Sequence, residues 1–380
     1  MLKGEKNLKK FAKISQNNEY LLLIVTILLV SIGLVFVYSA SFYTAEVEAG
    51  NKYYYLIKQG VGALVGMVAL VSASLIDVNL FKKFHLPLAI VSLIFLALVF
   101  VPGLGISKYG ATRWIGFGGF SFQPSEICKF ALVLVGAHSF GDEKVKKTFF
   151  KYAKVIFFGL AYCVLIILEP NMSVTVCVGL LLLALLFLGG MKIKTFLLFL
   201  LPFAIALPLL IVLEPYRMLR LMAFLDPWAS PKNEGYQLIQ SLYALGSGGL
   251  FGVGLFCGRQ KYRFLPFAES DFVFSVIGEE TGLFGCLFVF LLFALYVYCG
   301  VKIAVNAKDK FCSLLAGGIT SVVAIQSLIN FAVVTGSIPP TGLPLPFISY
   351  GGTSLVVFMT ATGILLGISR KNNINNFDIL

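Results

Sequence analysis

Charge is what this sequence has least of. Only 13% of its 380 residues are Asp, Glu, Lys or Arg, against 58% hydrophobic, and the mean hydropathy is +0.91. No soluble domain buries that much apolar surface, so a water-soluble globular fold is excluded and a polytopic membrane protein is implied. Histidine is almost lacking: His85 and His138 are the two present. Both fall at segment ends read below as cytoplasmic, which leaves the opposite side without an imidazole. The seven cysteines (Cys128, Cys163, Cys177, Cys257, Cys286, Cys299 and Cys312) form no CxxC pair, and most lie in or beside apolar segments. That argues against a disulfide framework and against a metal site. Acids number 18 against 30 bases, a net charge of +12. In a soluble protein this would suggest nucleic acid; here the bases gather in short loops and orient membrane spans. No secretory cleavage pattern follows the first apolar segment, which is too long for a signal peptide and is read as retained.

A bilayer core takes about 20 apolar residues per helix, so the chain has room for roughly ten spans. They fall at about 20–42, 55–75, 84–101, 123–140, 153–168, 172–190, 195–213, 272–300, 311–333 and 348–369. With the N-terminus inside, the cytoplasmic segments hold Lys3, Lys6, Lys9, Lys10 and Lys13, then Lys82 and Lys83, then Lys144, Lys146, Lys147, Lys151 and Lys154. Lys192, Lys194, Lys302, Lys308, Lys310, Arg370 and Lys371 follow on the same side, whereas the short outer loops hold Lys52, Lys58, Lys108 and Arg113. This asymmetry orients the chain with both termini cytoplasmic. The expected fold is an all-α integral membrane protein, one polytopic domain over 1–380. It has ten transmembrane helices, cytoplasmic tails at 1–19 and 370–380, and one large extracellular loop, 214–271, between spans 7 and 8. Three outer segments stand out: glycine-rich 102–122, the large loop, and proline-rich 335–347, which cannot be helical throughout. All lie on one side, so an outward-facing site is expected.

Span four opens QPSEICK. Pro124 suits a first helical position and Glu126 the positive end of the helix dipole. Lys129 shares a face with Glu126 at i,i+3 spacing, and a buried pair there would be either structural or part of a substrate pocket. Glu169-Pro170-Asn171 reads as a tight turn with Asn171 capping the next helix. In the large loop, Leu238, Leu242 and Leu245 share a face, as in an amphipathic helix lying at the membrane surface. The glycines at 246, 248, 249, 252 and 254 follow no βαβ pattern and face away from cytoplasmic nucleotides, so nucleotide binding is rejected. Backbone approach to a diphosphate, helped by Arg259, Lys261 and Arg263, stays open.

The organising stretch is FLPFAESDFVFSVIGEETG, Phe264 to Gly282. Glu269 and Asp271 stand where an apolar helix begins; Glu279 and Glu280 lie about 12–14 Å further along it. Carboxylates are costly in lipid and usually serve a function. Asp271 or Ser270 could cap the helix, and Glu279 and Glu280 could pair with Lys129 or with backbone donors.

The blocks GATRWIGFGGFSFQPSEICK, RLMAFLDPWASP, GYQLIQSLYALGSGGLFGVGL, RQKYRFLP, SDFVFSVIGEETGLFG and TGLPLPFISYGGTSL resemble the signature segments of the SEDS family. These are the shape, elongation, division and sporulation proteins of bacterial envelopes, and the likeness runs along nearly the whole chain. The large-loop blocks lie nearer the family's FtsW/SpoVE branch than its RodA branch. The resemblance implies a peptidoglycan glycosyltransferase in the bacterial cytoplasmic membrane, serving division or sporulation. Its substrate would be lipid II, the undecaprenyl-diphosphate-linked disaccharide-pentapeptide, and its partner a monofunctional class B penicillin-binding protein. The 4-hydroxyl of an incoming lipid II would attack the anomeric carbon of the lipid-bound glycan, forming a β-1,4 bond and releasing undecaprenyl diphosphate.

Asp271 matches the family's essential aspartate and is expected as general base, since a sugar hydroxyl needs one and no imidazole is available outside. Arg113, then Lys129, then Arg259 and Lys261 are candidates for the diphosphate. Trp114, Gln123, Glu126 and Lys129 are expected to line the cavity, with Glu126 orienting Lys129. No metal-ligand cluster is legible and no cofactor is assigned, but a divalent cation, Mg2+ or Mn2+, bridging Asp271 and the diphosphate suits the chemistry. Two departures stand out. The family's LPEAHTD reads Leu265 to Asp271 as LPFAESD, with Phe267 for the glutamate and Glu269 for the histidine. Its EPD block loses the acid at Asn171 but keeps Glu169. Glu269 and Glu169 are therefore candidates for tuning Asp271. Two readings from other classes remain: a flippase for lipid-linked precursors, and a scaffold for the penicillin-binding protein.

Overall fold

The structure, a computed structural model, describes the backbone of residues 2–108, 111–117, 120–141 and 148–377. Lys144, Lys146, Lys147 and the last three residues of the C-terminal tail lie outside the described residues, as do the side chains of the N-terminal lysines and Lys108.

Helices form at all ten segments expected to be spans: α1 (Leu2–Ala49), α2 (Tyr54–Leu75), α3 (Val78–Leu98), α4 (Pro124–Gly141), α5 (Thr148–Leu168), α6 (Met172–Leu188), α7 (Ile193–Val212), α10 (Val273–Asn306), α11 (Lys310–Val334) and α12 (Gly352–Phe377). Two shorter helices, α8 (Pro215–Leu225) and α9 (Tyr236–Gly248), lie in the large loop. Eight of the described helices are long and apolar enough to cross a membrane. α6 has 17 residues, and α4 carries Glu126 and Lys129. α4 packs against α3, α5, α6, α11 and α12, so it is sheathed by protein and needs no lipid-facing apolar surface. α7 is the opposite case, with none of its most apolar stretch buried, as suits a helix bathed in lipid. α1 and α12 carry helical backbone into residues expected to be tails.

The glycine-rich segment 102–122 departs from an all-α fold. It forms a three-stranded antiparallel sheet of β1 (Gly105–Lys108), β2 (Ala111–Phe117) and β3 (Phe120–Phe122). Thr112, Trp114 and Ile115 favour strands, and the sheet pairs Ile106 with Trp114 and Ile115 with Phe122. Strand periodicity puts Arg113 on the same face as Ala111 and Ile115, both buried, and Trp114 on the other.

The large loop is also not a surface appendage. α9 buries Leu238, Ile239 and Ala244, and its Ser241 hydroxyl lies 2.8 Å from that of Ser275 and 2.8 Å from the Val334 carbonyl. It is docked on α10 and α11. α10 itself is broken at Gly282, whose φ of +68° only glycine adopts freely. The loop after α9 fills the break: Val253 and Gly254 donate to the carbonyls of Glu279 and Glu280 at 3.0 and 3.1 Å, and Leu283 and Phe284 donate to Gly249 and Leu250. A Cβ on Gly252 would lie 2.1 Å from the Glu280 carbonyl oxygen. The glycines expected to approach a diphosphate instead let the loop approach a helix.

Candidate active site

α10 starts at Val273 with Phe272 at the capping position, and no side chain caps it. Asp271 and Ser270 therefore do not spend their oxygens on the helix, which removes the structural explanation for Asp271. Its backbone is nonetheless fixed. Asn330 donates to the Asp271 carbonyl at 2.9 Å and to Leu343 at 2.8 Å, Ser349 donates to the Ser270 carbonyl, and the Tyr350 amide donates to Glu269 at 2.9 Å. Asn330 of α11 and the pair Ser349 and Tyr350, just before α12, thus clamp residues 269–271. Gly342 leaves the room: a Cβ there would stand 3.2 Å from Asp271 Oδ2.

Burial pushes the Asp271 carboxyl up to about 7, and repulsion from Glu269 adds to it, while Arg113, Arg220 and a bond with Ser270 pull the other way. Glu269 is likewise raised, first by burial and then by Glu48. Arg113 reaches Asp271 electrostatically from β2, with its Nε and Nη2 donating to the carbonyls of Glu169 and Pro170. Arg220, on α8 and seated over the Tyr216 ring at 4.7 Å, is the second cation that acts on Asp271. Sequence reasoning missed it; the basic face of the amphipathic stretch YRMLRLMAFL was the available signal.

The Glu126–Lys129 pair forms at 2.7 Å with both side chains buried. Lys129 also donates to Gln326 Oε1 at 2.6 Å and lies over the Phe358 ring, and Glu126 accepts from Ser354 at 2.9 Å. Gln326 passes the connection on, donating to Pro344 at 2.8 Å. Asn330 lies one helical turn further along α11, so Gln326 and Asn330 share a face and tie the ion pair to the segment that holds Asp271. Both amides were missed, though two amides four residues apart in an apolar helix are a legible oddity. Lys129 is thus buried and engaged by Glu126, Gln326 and the Phe358 ring.

Lys261 is a clearer correction. Its ammonium is buried 2.7 Å from Glu280 and 3.1 Å from Ser39, between the rings of Phe42 and Phe256. Glu279 accepts the backbone N–H of Arg259 at 2.7 Å and of Gln260, and Glu280 accepts that of Phe256 at 3.0 Å. These groups belong to the plug in the helix break, with the Arg259 side chain left exposed. Of the partners open to Glu279 and Glu280, backbone donors and Lys261 take the place of Lys129. Gln123, partly buried, accepts the Glu126 N–H at the start of α4, and Asn171 caps α6 by accepting from Val174. Among the described residues, no three His, Cys, Asp or Glu side chains converge as a metal cluster.

Asp271 is therefore a carboxyl of near-neutral affinity for protons, on which Arg113 and Arg220 act electrostatically. Residues 19–374 match the family model described as a cell cycle protein, FtsW/RodA/SpoVE. The chain belongs to the FtsW/RodA/SpoVE family. The SEDS resemblance carried by the motif blocks is thus borne out. The chain is 39% identical over 370 residues to the probable peptidoglycan glycosyltransferase FtsW of Geobacter metallireducens, covering 96% of this chain and 98% of that one. It is 38% identical over 355 residues to the stage V sporulation protein E of Bacillus subtilis, covering 93% and 97%. Among solved structures, a chain from a peptidoglycan synthase complex that coordinates polymerization and crosslinking superposes with a TM-score of 0.76 at 27% identity, covering 92% of this chain and 97% of that one. RodA of Thermus thermophilus does so with a TM-score of 0.69 at 25% identity, covering 92% and 96%.

Proposed function

We propose that this FtsW/RodA/SpoVE protein is a peptidoglycan glycosyltransferase that polymerises lipid II at the outer face of the cytoplasmic membrane, with ten spans and both termini inside. The observation that carries the reading is Asp271: an uncapped, backbone-clamped carboxyl raised to about 7 and faced by Arg113 and Arg220. A base of that affinity is half deprotonated at neutral pH and still strong enough to take a proton. As the acceptor hydroxyl attacks the anomeric carbon, its proton passes to Asp271. The bond to the diphosphate oxygen breaks, and the electron pair leaves with undecaprenyl diphosphate. Arg113 and Arg220 meet the negative charge that grows there.

Asp271 and Glu269, whose carboxyls repel each other, are the residues that would hold a divalent cation, Mg2+ or Mn2+, at this position. Such an ion would neutralise charge on the leaving group; removal by EDTA would then stop polymerisation, and adding either metal back would restore it. A class B penicillin-binding protein is the proposed partner, by analogy with the synthase complex. The test is reconstitution in proteoliposomes with labelled lipid II, with and without that partner. Polymer is expected, and its loss in Asp271→Ala with the fold intact. Leaflet exchange that persists with no polymer would favour a flippase instead, and neither activity beside retained partner binding would favour a scaffold.

A further inference from the structure

The buried face of α2 is built from Gln59, Gly62, Gly66, Leu70 and Ala73, and Gln59 is its polar member, 1% exposed. A carboxamide is costly to bury unless both its ends are paired. Both are: Gln59 Nε2 donates to the Ser349 carbonyl at 3.0 Å, and Oε1 accepts the Gly351 N–H at 3.1 Å. Gly62 permits the approach, since a Cβ there would lie 3.2 Å from Gly352 Cα. The amide thus grips the short segment that precedes α12 by its backbone. That segment needs a grip. Phe347 holds a φ of +65°, and Phe267, in the turn that leads to Asp271, one of +56°. Left-handed backbone at a residue other than glycine persists only where the surroundings over-determine it. The two turns are tied to each other, because Ser349 donates to the Ser270 carbonyl and the Tyr350 amide to that of Glu269.

We propose that Gln59 is a positioning residue for Asp271: it fixes residues 349–351, which in turn fix Glu269 and Ser270 and so set where the Asp271 carboxyl points. The proposal rests on the reading of Asp271 as general base. Gln59 acts through other residues, since its amide is buried and both its ends are engaged by backbone. Asn330 already holds the Asp271 carbonyl from α11 at 2.9 Å. One hydrogen bond at that carbonyl fixes a point and leaves the chain free to turn about it. The second hold, on the carbonyls of the two preceding residues, fixes the direction, and it is this hold that Gln59 backs from α2. Orientation of a base is worth much in rate: a misplacement of about 1 Å can cost about 10²-fold.

The test is a double-mutant cycle on the full chain in proteoliposomes, reading the single-turnover rate of polymerisation per folded molecule and, separately, lipid II binding. Gln59→Met keeps the length of the side chain and removes both hydrogen bonds. It is expected to lower the rate by about 10- to 100-fold, with lipid II binding within about twofold. In the Asp271→Asn background, where the base is gone, the same substitution is expected to change the residual rate by less than about twofold. Ser349→Ala, a smaller change on the same path, should give the same pattern, and it takes over the test if Gln59→Met does not fold. A lowered melting temperature with the rate per folded molecule unchanged overturns the proposal and leaves Gln59 a packing residue. Equal losses in the two backgrounds also overturn it, as does a loss of lipid II binding that accounts for the loss of rate. The two levels fail separately: full polymerisation by Asp271→Asn sinks the general-base reading and this one with it, whereas an inactive Asp271→Asn beside an uncoupled Gln59→Met sinks the positioning role alone.

Discussion

Asp271 and Glu280 lie on one stretch of chain, at the start of α10 and beside its break, and their surroundings are opposites. Glu280 is buried and saturated: Lys261 and Ser39 hold one oxygen at 2.7 and 2.6 Å, and the Phe256 N–H holds the other at 3.0 Å. Asp271 has its backbone fixed by neighbours while its carboxyl faces two arginines and a second acid, with the weaker support of Ser270. The difference separates structure from chemistry. A buried charge with an ion-pair partner and hydrogen bonds on both oxygens holds helices together; one whose main chain is fixed and whose carboxyl is raised by burial is poised to exchange a proton.

That contrast can be broken from either side. Asp271→Asn should cut lipid II polymerisation by about 10³-fold or more while leaving the thermal melt nearly unchanged, because the amide keeps the shape and loses the base. Lys261→Met should do the reverse. Removing one partner of a buried pair costs about 3–5 kcal/mol, read as a lowered melting temperature in detergent, with the rate per folded molecule retained; Lys261→Met combined with Glu280→Leu should recover part of the loss. Arg220→Gln should fall between, lowering the rate about 10²-fold with little change in stability. The smallest effect is expected of Glu269→Gln. Deleting the acid that repels Asp271 should lower the acid-limb midpoint of the pH–rate profile by less than about one unit.

The sequence made legible whatever depends on local spacing. Ten apolar runs marked ten helices, the i,i+3 spacing of Glu126 and Lys129 foretold their pair, and Asn171 after a proline foretold a cap. Contacts closed over long distances in the chain were not legible. Nothing near Lys261 announces Ser39 and Glu280 as its partners, and the loop glycines carry no mark of the helix break they fill. The sheet at 105–122 was hidden by glycines that read as loop, although strand formers lie between them. Arg220 was hidden because its charge bears on Asp271 only once the large loop has folded.

The central claim is that Asp271 is the general base, and the pH dependence of single-turnover polymerisation tests it most directly. With the chemical step limiting, the account predicts a rate that rises with pH through a midpoint near 7, where burial and Glu269 set the Asp271 carboxyl. The carboxyl is protonated and inactive below that midpoint. A rate that stays flat from pH 5 to about pH 8, with the protein folded throughout, would contradict it.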